Sequence, residues 1–225
     1  VFDAAFKRAG ILRVDSVAEL FDCAKTLSMQ RRPVGDRLAI VTNAGGPGVI
    51  ATDALIDRQG SLAELSSKTV QRLDEELPCF WSRSNPLDIL GDANTECYRT
   101  AVKACLEDRN VDGVLEILTP QEMTDALAVA KDLVGIAGKS YKTMLAAFMG
   151  EDEVAEGRRI LEQGQVPAYE RPEDAVRSFL NMVEYQRNLK ILSETPATIP
   201  HAFSPNTTGA RLLVSSVQKS GRHVL

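Results

Sequence analysis

The sequence predicts an α/β protein built on a doubly wound parallel sheet, three layers deep (α/β/α), with helical extensions at both ends. Three observations carry that expectation. Short apolar, β-rich runs alternate with helical patterns of roughly 10–15 residues, the order that parallel strands and crossover helices produce. The first run, Leu38 to Val41, ends in Thr42-Asn43 and a glycine-rich turn, with a helical pattern beyond it. The balance of 44% hydrophobic and 25% charged residues in 225 is enough to bury one good core with extensions, or two small ones.

The elements follow in order. Asp15-Ser-Val-Ala-Glu19 places a capping residue before a helix over Ala18–Leu27, whose apolar positions Leu20, Phe21, Ala24 and Leu27 share one face. Gln30 to Gly35, charged and broken by proline and glycine, reads as a linker. Strand Leu38–Val41 leads to a helix over Val49–Gln59. Ser61–Leu65 reads as a second strand and Ser67–Glu76 as a helix behind a serine cap. A loop from Pro78 to Asp92 precedes a helix over Thr95–Leu106. Strand Val111–Leu118, helix Gln121–Val134, strand Lys142–Phe148, helix Glu151–Gln163 and strand Val166–Tyr169 follow. Pro172-Glu-Asp174 then opens a long helix to Leu192, with proline in the first turn and acids beside it.

Five β–α units in so short a span favour the flavodoxin-like doubly wound plan over a barrel. In such sheets ligands bind beyond the carboxyl ends of the strands. Gly45–Gly48, Thr119-Pro120 and Met149-Gly150 all fall on that rim. Thr195 to Thr208, with its prolines, reads as a linker, and Gly209 to Leu225 as an incomplete segment. Both chain ends read as cuts within something larger.

Charge and composition exclude several classes. A net charge of −5 argues against nucleic-acid or membrane-surface binding, which needs a basic footprint. No apolar run approaches a membrane span and no signal peptide is visible. Cys23, Cys79, Cys97 and Cys105 lack a Cys-x-x-Cys spacing, and His201 and His223 stand far from them, so no metal site is expected. The cysteines read as small core residues of a reduced, cytoplasmic protein. Glu151-Asp-Glu153 reads as a charge cluster at a helix start.

Asn43, Gly45, Gly46, Pro47 and Gly48 are the candidate phosphate-binding residues. A strand, a tight turn and a helix N-terminus present backbone N–H groups and a positive dipole end to an anion. Glycines there admit positive φ and a close approach of phosphate to the backbone. Gly46-Pro-Gly-Val-Ile-Ala51 also satisfies the dinucleotide pattern, with Glu64 as a ribose-binding acid, so a dinucleotide-binding domain is an alternative. No Walker-type motif is present. A second polar loop, Ser84 to Ala93, supplies Asn85, Asp88, Gly91 and Asp92. Turn chemistry accounts for Asn85, and helix capping for Asp92, but neither accounts for Asp88 between apolar neighbours.

Four segments together resemble a known family. Thr42-Asn-Ala-Gly-Gly-Pro-Gly-Val49, Asn85-Pro-x-Asp88 with Gly91-Asp-Ala93, Leu118-Thr-Pro120 and Val166 to Val176 are similar to the NDP-forming acyl-CoA synthetases, relatives of succinyl-CoA synthetase. The resemblance covers residues 36–193 and implies the second of the family's two flavodoxin-like ligase domains. Residues 1–35 then resemble the tail of the preceding ligase domain with its linker, and residues 194–225 a linker and the start of an ATP-grasp domain. The implied reaction is acid, CoA and nucleoside triphosphate to acyl-CoA, NDP and phosphate, relayed through a phosphohistidine. The helix at Pro47 or Gly48 would be one of two whose N-termini hold that phosphohistidine.

The resemblance implies CoA, ATP or ADP and Mg²⁺ for the full-length protein, but no cofactor bound by this piece alone. The expected partners are the phosphohistidine-bearing ligase domain and the ATP-grasp domain of the same protein, with an oligomer possible. No catalytic side chain is expected here, since neither His201 nor His223 stands where the family has its nucleophile. A bacterial branch of the family joins an acetyltransferase domain to a synthetase half that does not turn over. Residues 18–60 resemble that branch, which makes an acyl-CoA-responsive module of a protein lysine acetyltransferase the other alternative.

Overall fold

The computed structural model describes residues 2–193 and 205–219. It divides into two units, Val1–Leu192 and Ser193–Leu225. In the second, the described structure is a single helix, α9 (Thr207–Lys219).

The first unit is organised by a parallel sheet. Its strands are β1 (Arg37–Thr42), β2 (Ser61–Leu62), β3 (Leu87–Asp88), β4 (Gly113–Leu118), β5 (Thr143–Phe148) and β6 (Ala168–Tyr169), in the order β2-β1-β4-β5-β6. β3 lies off that path and pairs with β1. The central register sets Leu38 beside Gly113 and Thr42 beside Ile117, and continues from Gly113–Leu118 onto Thr143–Phe148. β1, β4 and β5 are buried almost throughout, so they read as continuous apolar runs rather than alternating ones. The expected strand at Ser61–Leu65 shrinks to two residues, because the Ser66 amide and the Glu64 carbonyl turn away to meet the side chains of Asp108 and Asn110.

Helices cover both faces. α3 (Gly45–Asp57) and α8 (Pro172–Ser193) bury Ala51, Leu55, Val176 and Phe179 against Leu38, Ile40, Leu115 and Ile117. On the opposite face α4 (Ser67–Glu76), α5 (Thr95–Glu107), α6 (Ala126–Ala137) and α7 (Glu151–Gln163) pack Leu73, Tyr98, Val129 and Leu161 against Val41, Val114, Leu118 and Phe148. This is the three-layer α/β arrangement that the alternation of elements predicts.

The N-terminal part departs from expectation in two ways. A short helix, α1 (Phe2–Arg8), precedes α2 (Val17–Met29), whose cap is Ser16 accepting from the Glu19 amide at 3.1 Å. More consequentially, α2 presents the other stripe to α8 and β6. Glu19, Cys23 and Thr26 are buried, whereas Val17, Leu20 and Phe21 are 69%, 53% and 69% exposed. The buried stripe is polar because it is fully engaged. Glu19 accepts from the Asp15 amide and from Asn181 Nδ2, and Lys25 Nζ donates to the Ala168 carbonyl at 2.7 Å. Burial raises the Glu19 carboxyl, but those hydrogen bonds and Arg177 outweigh it and hold it below its ordinary value. Leu20, Phe21 and Ala24 are therefore not core residues of this unit.

Candidate functional site

The carboxyl ends of β1 and β4 form one rim. Where β1 stops, Asn43 continues its pairing with a side chain: Nδ2 donates to the Thr119 carbonyl at 2.8 Å, and Oδ1 accepts from the Thr119 amide at 2.8 Å and its hydroxyl at 3.0 Å. Asn43 is buried. Its amide group is thus committed to Thr119 and holds the rim rather than facing a ligand.

The glycines are not a loop before the helix but its first turn. α3 starts at Gly45, with Ala44 in the cap position. Ala44 offers no side-chain oxygen, and no acid stands in the first turn. Pro47 contributes no N–H, and the Gly48 amide already reaches the Ala44 carbonyl at 3.4 Å. The Gly45 and Gly46 amides remain as the exposed donors of the helix end. None of the three glycines has positive φ, contrary to the expectation for this segment; among the described glycines only Gly10 and Gly150 do. Each has its own reason. A Cβ on Gly48 would stand 3.0 Å from Thr42 Cγ2 and 3.4 Å from Pro86 Cβ, so this glycine lets α3 approach the strand. A Cβ on Gly45 would stand 3.2 Å from Asp88 Oδ2, whereas one on Gly46 would meet nothing within 4 Å.

The second loop builds the wall beside that helix end. Asn85 lies deeper than a turn residue should, between β2 and β3. Its Oδ1 accepts from the Ile40 amide at 2.9 Å, while Nδ2 donates to the carbonyls of Leu38 at 2.8 Å and Ala63 at 2.9 Å. It thereby fills the interval in the ladder between Leu38↔Leu62 and Val41↔Leu87. The chain after it forms β3, within the segment Pro78 to Asp92 for which the sequence predicts a loop. Asp88 pairs with Thr42 in register, and its Oδ1 accepts from the Leu90 amide at 2.9 Å. Gly91 comes to rest near Gln121 and the Asn43 carbonyl. Asp92 is exposed and does not cap the next helix; Asn94 does, accepting from the Cys97 amide at 3.1 Å.

Farther along the rim, Gly150 stands at φ 114° ahead of α7. A Cβ there would come within 2.6 Å of Pro120 Cγ, so glycine is needed both for the backbone and for the contact. Arg158 folds back from α7 to donate to the carbonyls of Phe148 at 3.0 Å and Gly150 at 3.2 Å. Under the rim, in the middle of β4, Glu116 is 0% exposed and neither carboxyl oxygen has a hydrogen-bond partner among the described residues. Burial, with no hydrogen bond to offset it, pushes its carboxyl well above the ordinary value. No sequence pattern marks it beyond a charge inside an apolar run.

The remaining candidates separate. Glu64, the ribose-binding acid of the dinucleotide reading, is held through its carbonyl by Asn110, in the turn leading to β4. β2 ends beside Leu38, near the amino end of β1, whereas α3 begins beyond the carboxyl end of β1, so Glu64 follows a strand that stops short of the rim. His201 and His223 lie outside the described residues. All four cysteines are free thiols, and burial pushes that of Cys105 up to about 12. Glu151, Asp152 and Glu153 occupy the first turn of α7, where acids complement the helix dipole. Among the described residues no cluster of three or more His, Cys, Asp or Glu is placed to hold a metal ion, and no helix is long and apolar enough to cross a membrane.

Comparison with known proteins agrees on one kinship. Residues 38–188 match the model of the Ligase-CoA domain. The chain is 35% identical over 222 residues to a 4-hydroxybutyrate–CoA ligase (ADP-forming) of Nitrosopumilus maritimus, covering 99% of this chain and 31% of that protein. It is 39% identical over 186 residues to acetate–CoA ligase (ADP-forming) I of Archaeoglobus fulgidus, covering 83% of this chain and 26% of the relative. Among solved structures, acetyl-coenzyme A synthetase 1 of Candidatus Korarchaeum cryptofilum in complex with phosphate and ADP superposes with a TM-score of 0.81 at 32% identity. That match covers 88% of this chain and 43% of the other. The chain therefore spans about a quarter to a third of these two curated relatives.

Proposed function

Because this chain belongs to the Ligase-CoA domain family of the NDP-forming acyl-CoA synthetases, we propose that α3 is the phosphoryl-holding helix of such a ligase. In this reading its Gly45 and Gly46 amides, with the dipole behind them, stabilise a phosphohistidine carried by another domain of the full-length protein. The observation that carries the reading is the state of the helix end: no side chain caps it, no acid stands in its first turn, and Gly45 and Gly46 are exposed at the carboxyl rim. A helix N-terminus stabilises a nearby anion by about 0.3–1 kcal/mol, and by about 2 kcal/mol when partly buried. Phosphoryl transfer needs positioning and charge stabilisation more than a reactive side chain, which suits a site without one.

Asn43, Asn85 and Asp88 are positioning residues in this scheme. Asn43 joins the ends of β1 and β4, Asn85 completes the ladder beneath β3, and Asp88 braces the Leu90 turn beside Gly45. The nucleophilic histidine, the acyl and CoA sites and the Mg²⁺-nucleotide site belong to the rest of the protein. Residues 36–193 form the ligase domain, and residues 1–35 pack with a preceding domain. The outward apolar stripe of Val17, Leu20 and Phe21 supports that second assignment, since such a stripe asks for a covering surface. Residues 194–225 lead toward an ATP-grasp domain.

The test uses the full-length protein. Gly46→Val puts a branched side chain over the free amides in open space, so the fold survives while the anion is kept away. Phosphohistidine formation from acyl-CoA and labelled phosphate falls at least tenfold in this variant, with an unchanged melting curve. Unchanged labelling would remove α3 from the site.

A further inference from the structure

Away from the rim, a groove runs between α5 and α6 toward the amino ends of the strands. Its volume is about 570 Å³, within the span of roughly 300–1,000 Å³ typical of small-molecule sites. Its floor is apolar, formed by Leu106 and Ile136, with Gly135 between α6 side chains. A Cβ on Gly135 would meet nothing within 4 Å, so no contact inside this chain requires glycine there. Glycine weakens a helix interior, and here it leaves open space over the floor.

The walls are basic in a chain whose net charge is −5. Arg99, Lys103, Lys131, Lys139 and Lys142 line the groove against two acids, Glu107 and Asp132. Both acids are already paired, Glu107 with Arg72 at 2.7 Å and Asp132 with Arg99. Lys142 is turned to the Asp108 carbonyl. The exposed ammonium groups of Lys103, Lys131 and Lys139 make no hydrogen bond or salt bridge among the described residues, although Lys131 stands near enough to Glu156 to help lower its carboxyl. Tyr141, 82% exposed, closes one end, with the Arg31 guanidinium 5.0 Å from its ring centroid.

Three unpaired ammonium groups around an apolar floor, with an aromatic ring at the edge, match a compact polyanion that carries a flat apolar body. We propose that this groove binds an organic phosphate of nucleoside-diphosphate size, its phosphates toward Lys103 and Lys131 and its body over Gly135. The volume fits such a molecule better than a docked helix, which needs a longer trough. The groove lies at the opposite end of the sheet from Gly45 and Gly46, so this site is independent of the phosphoryl-holding helix.

Calorimetric titration of ADP into the 225-residue chain tests it, with pyrophosphate, adenosine and an oligoglutamate peptide in parallel. One ADP binds per chain, and each of the other three binds more weakly. Lys103→Gln and Lys131→Gln each weaken ADP by about fivefold, the size expected for one exposed charge contact. Gly135→Leu fills the floor from an exposed position and abolishes binding without lowering the melting temperature. Gly46→Val leaves ADP binding unchanged. The proposal is overturned by an absence of ADP binding, by binding indifferent to both lysines, by pyrophosphate or oligoglutamate binding as tightly as ADP, or by loss of binding in Gly46→Val.

Discussion

Asn43 treats Thr119 as a neighbouring strand residue would: its side-chain amide both donates to and accepts from the Thr119 backbone, each at 2.8 Å. The main chain at Asn43 is thereby free to turn into α3 while the ladder between β1 and β4 stays closed. Asn43→Ala strands the partly buried N–H and carbonyl of Thr119, which costs about 1–3 kcal/mol. Urea denaturation reads this as a lower midpoint with an unchanged slope. A variant as stable as the parent would mean that water replaces the amide at no cost.

Asn85 does comparable work one strand over, with three backbone partners instead of one residue. Asn85→Ala falls in the upper half of the same range of about 1–3 kcal/mol, since it opens the ladder between β2 and β3. Hydrogen exchange gives the specific readout: the Ile40 amide, donated to Asn85 Oδ1, exchanges faster in the variant than the amides paired with β4.

These two asparagines show what the sequence carried and what it did not. The alternation of strands and helices was legible, because buried parallel strands are continuous apolar runs, and the long β1, β4 and β5 fall where those runs lie. The starts of α4 and α7 were legible to the residue from serine and acidic signals. The site was legible as a place but not as a geometry. Gly-Gly-Pro-Gly reads as a loop, because propensity counts against a helix interior and says little about its first turn, where Gly45 to Gly48 stand. Asn85 reads as turn chemistry, because a side chain that substitutes for a strand leaves no local pattern. For α2 the apolar stripe predicts the wrong buried face. Two stripes were available, and only the tertiary partners Asn181 and Arg177 decide that the polar one is buried.

Glu116 makes stability depend on pH in a direction opposite to a paired carboxylate. Below the unfolded value near 4.5 both states hold the proton, and the carboxyl imposes no pH-linked penalty. Above it the unfolded chain releases the proton while the folded chain keeps it. Stability then falls as pH rises, by about 1.4 kcal/mol per pH unit until the raised folded value is reached. Glu116→Gln has no proton to lose. Its stability therefore gains on that of the parent as the pH rises above the unfolded value, and the difference shrinks as the pH is lowered toward it. Chemical denaturation at a series of pH values checks this, and parallel curves would show that Glu116 is ionised in the fold.

Asp88 stands beside the free end of α3, with Oδ1 tied to the Leu90 amide and Oδ2 turned toward Gly45. Its charge therefore complements the helix dipole when no anion is present, and opposes any anion that arrives. Asp88→Asn keeps the Leu90 hydrogen bond and removes the charge. The expected cost to the free protein is about 0.3–1 kcal/mol, the value of one acid at a helix N-terminus. The expected gain is in anion affinity, because the entering phosphate no longer meets a carboxylate. Melting curves at rising phosphate concentration separate the two effects: the variant begins lower than the parent and is stabilised more steeply. Equal phosphate responses in parent and variant would place the anion away from Asp88, and with it away from the Gly45 end of the helix.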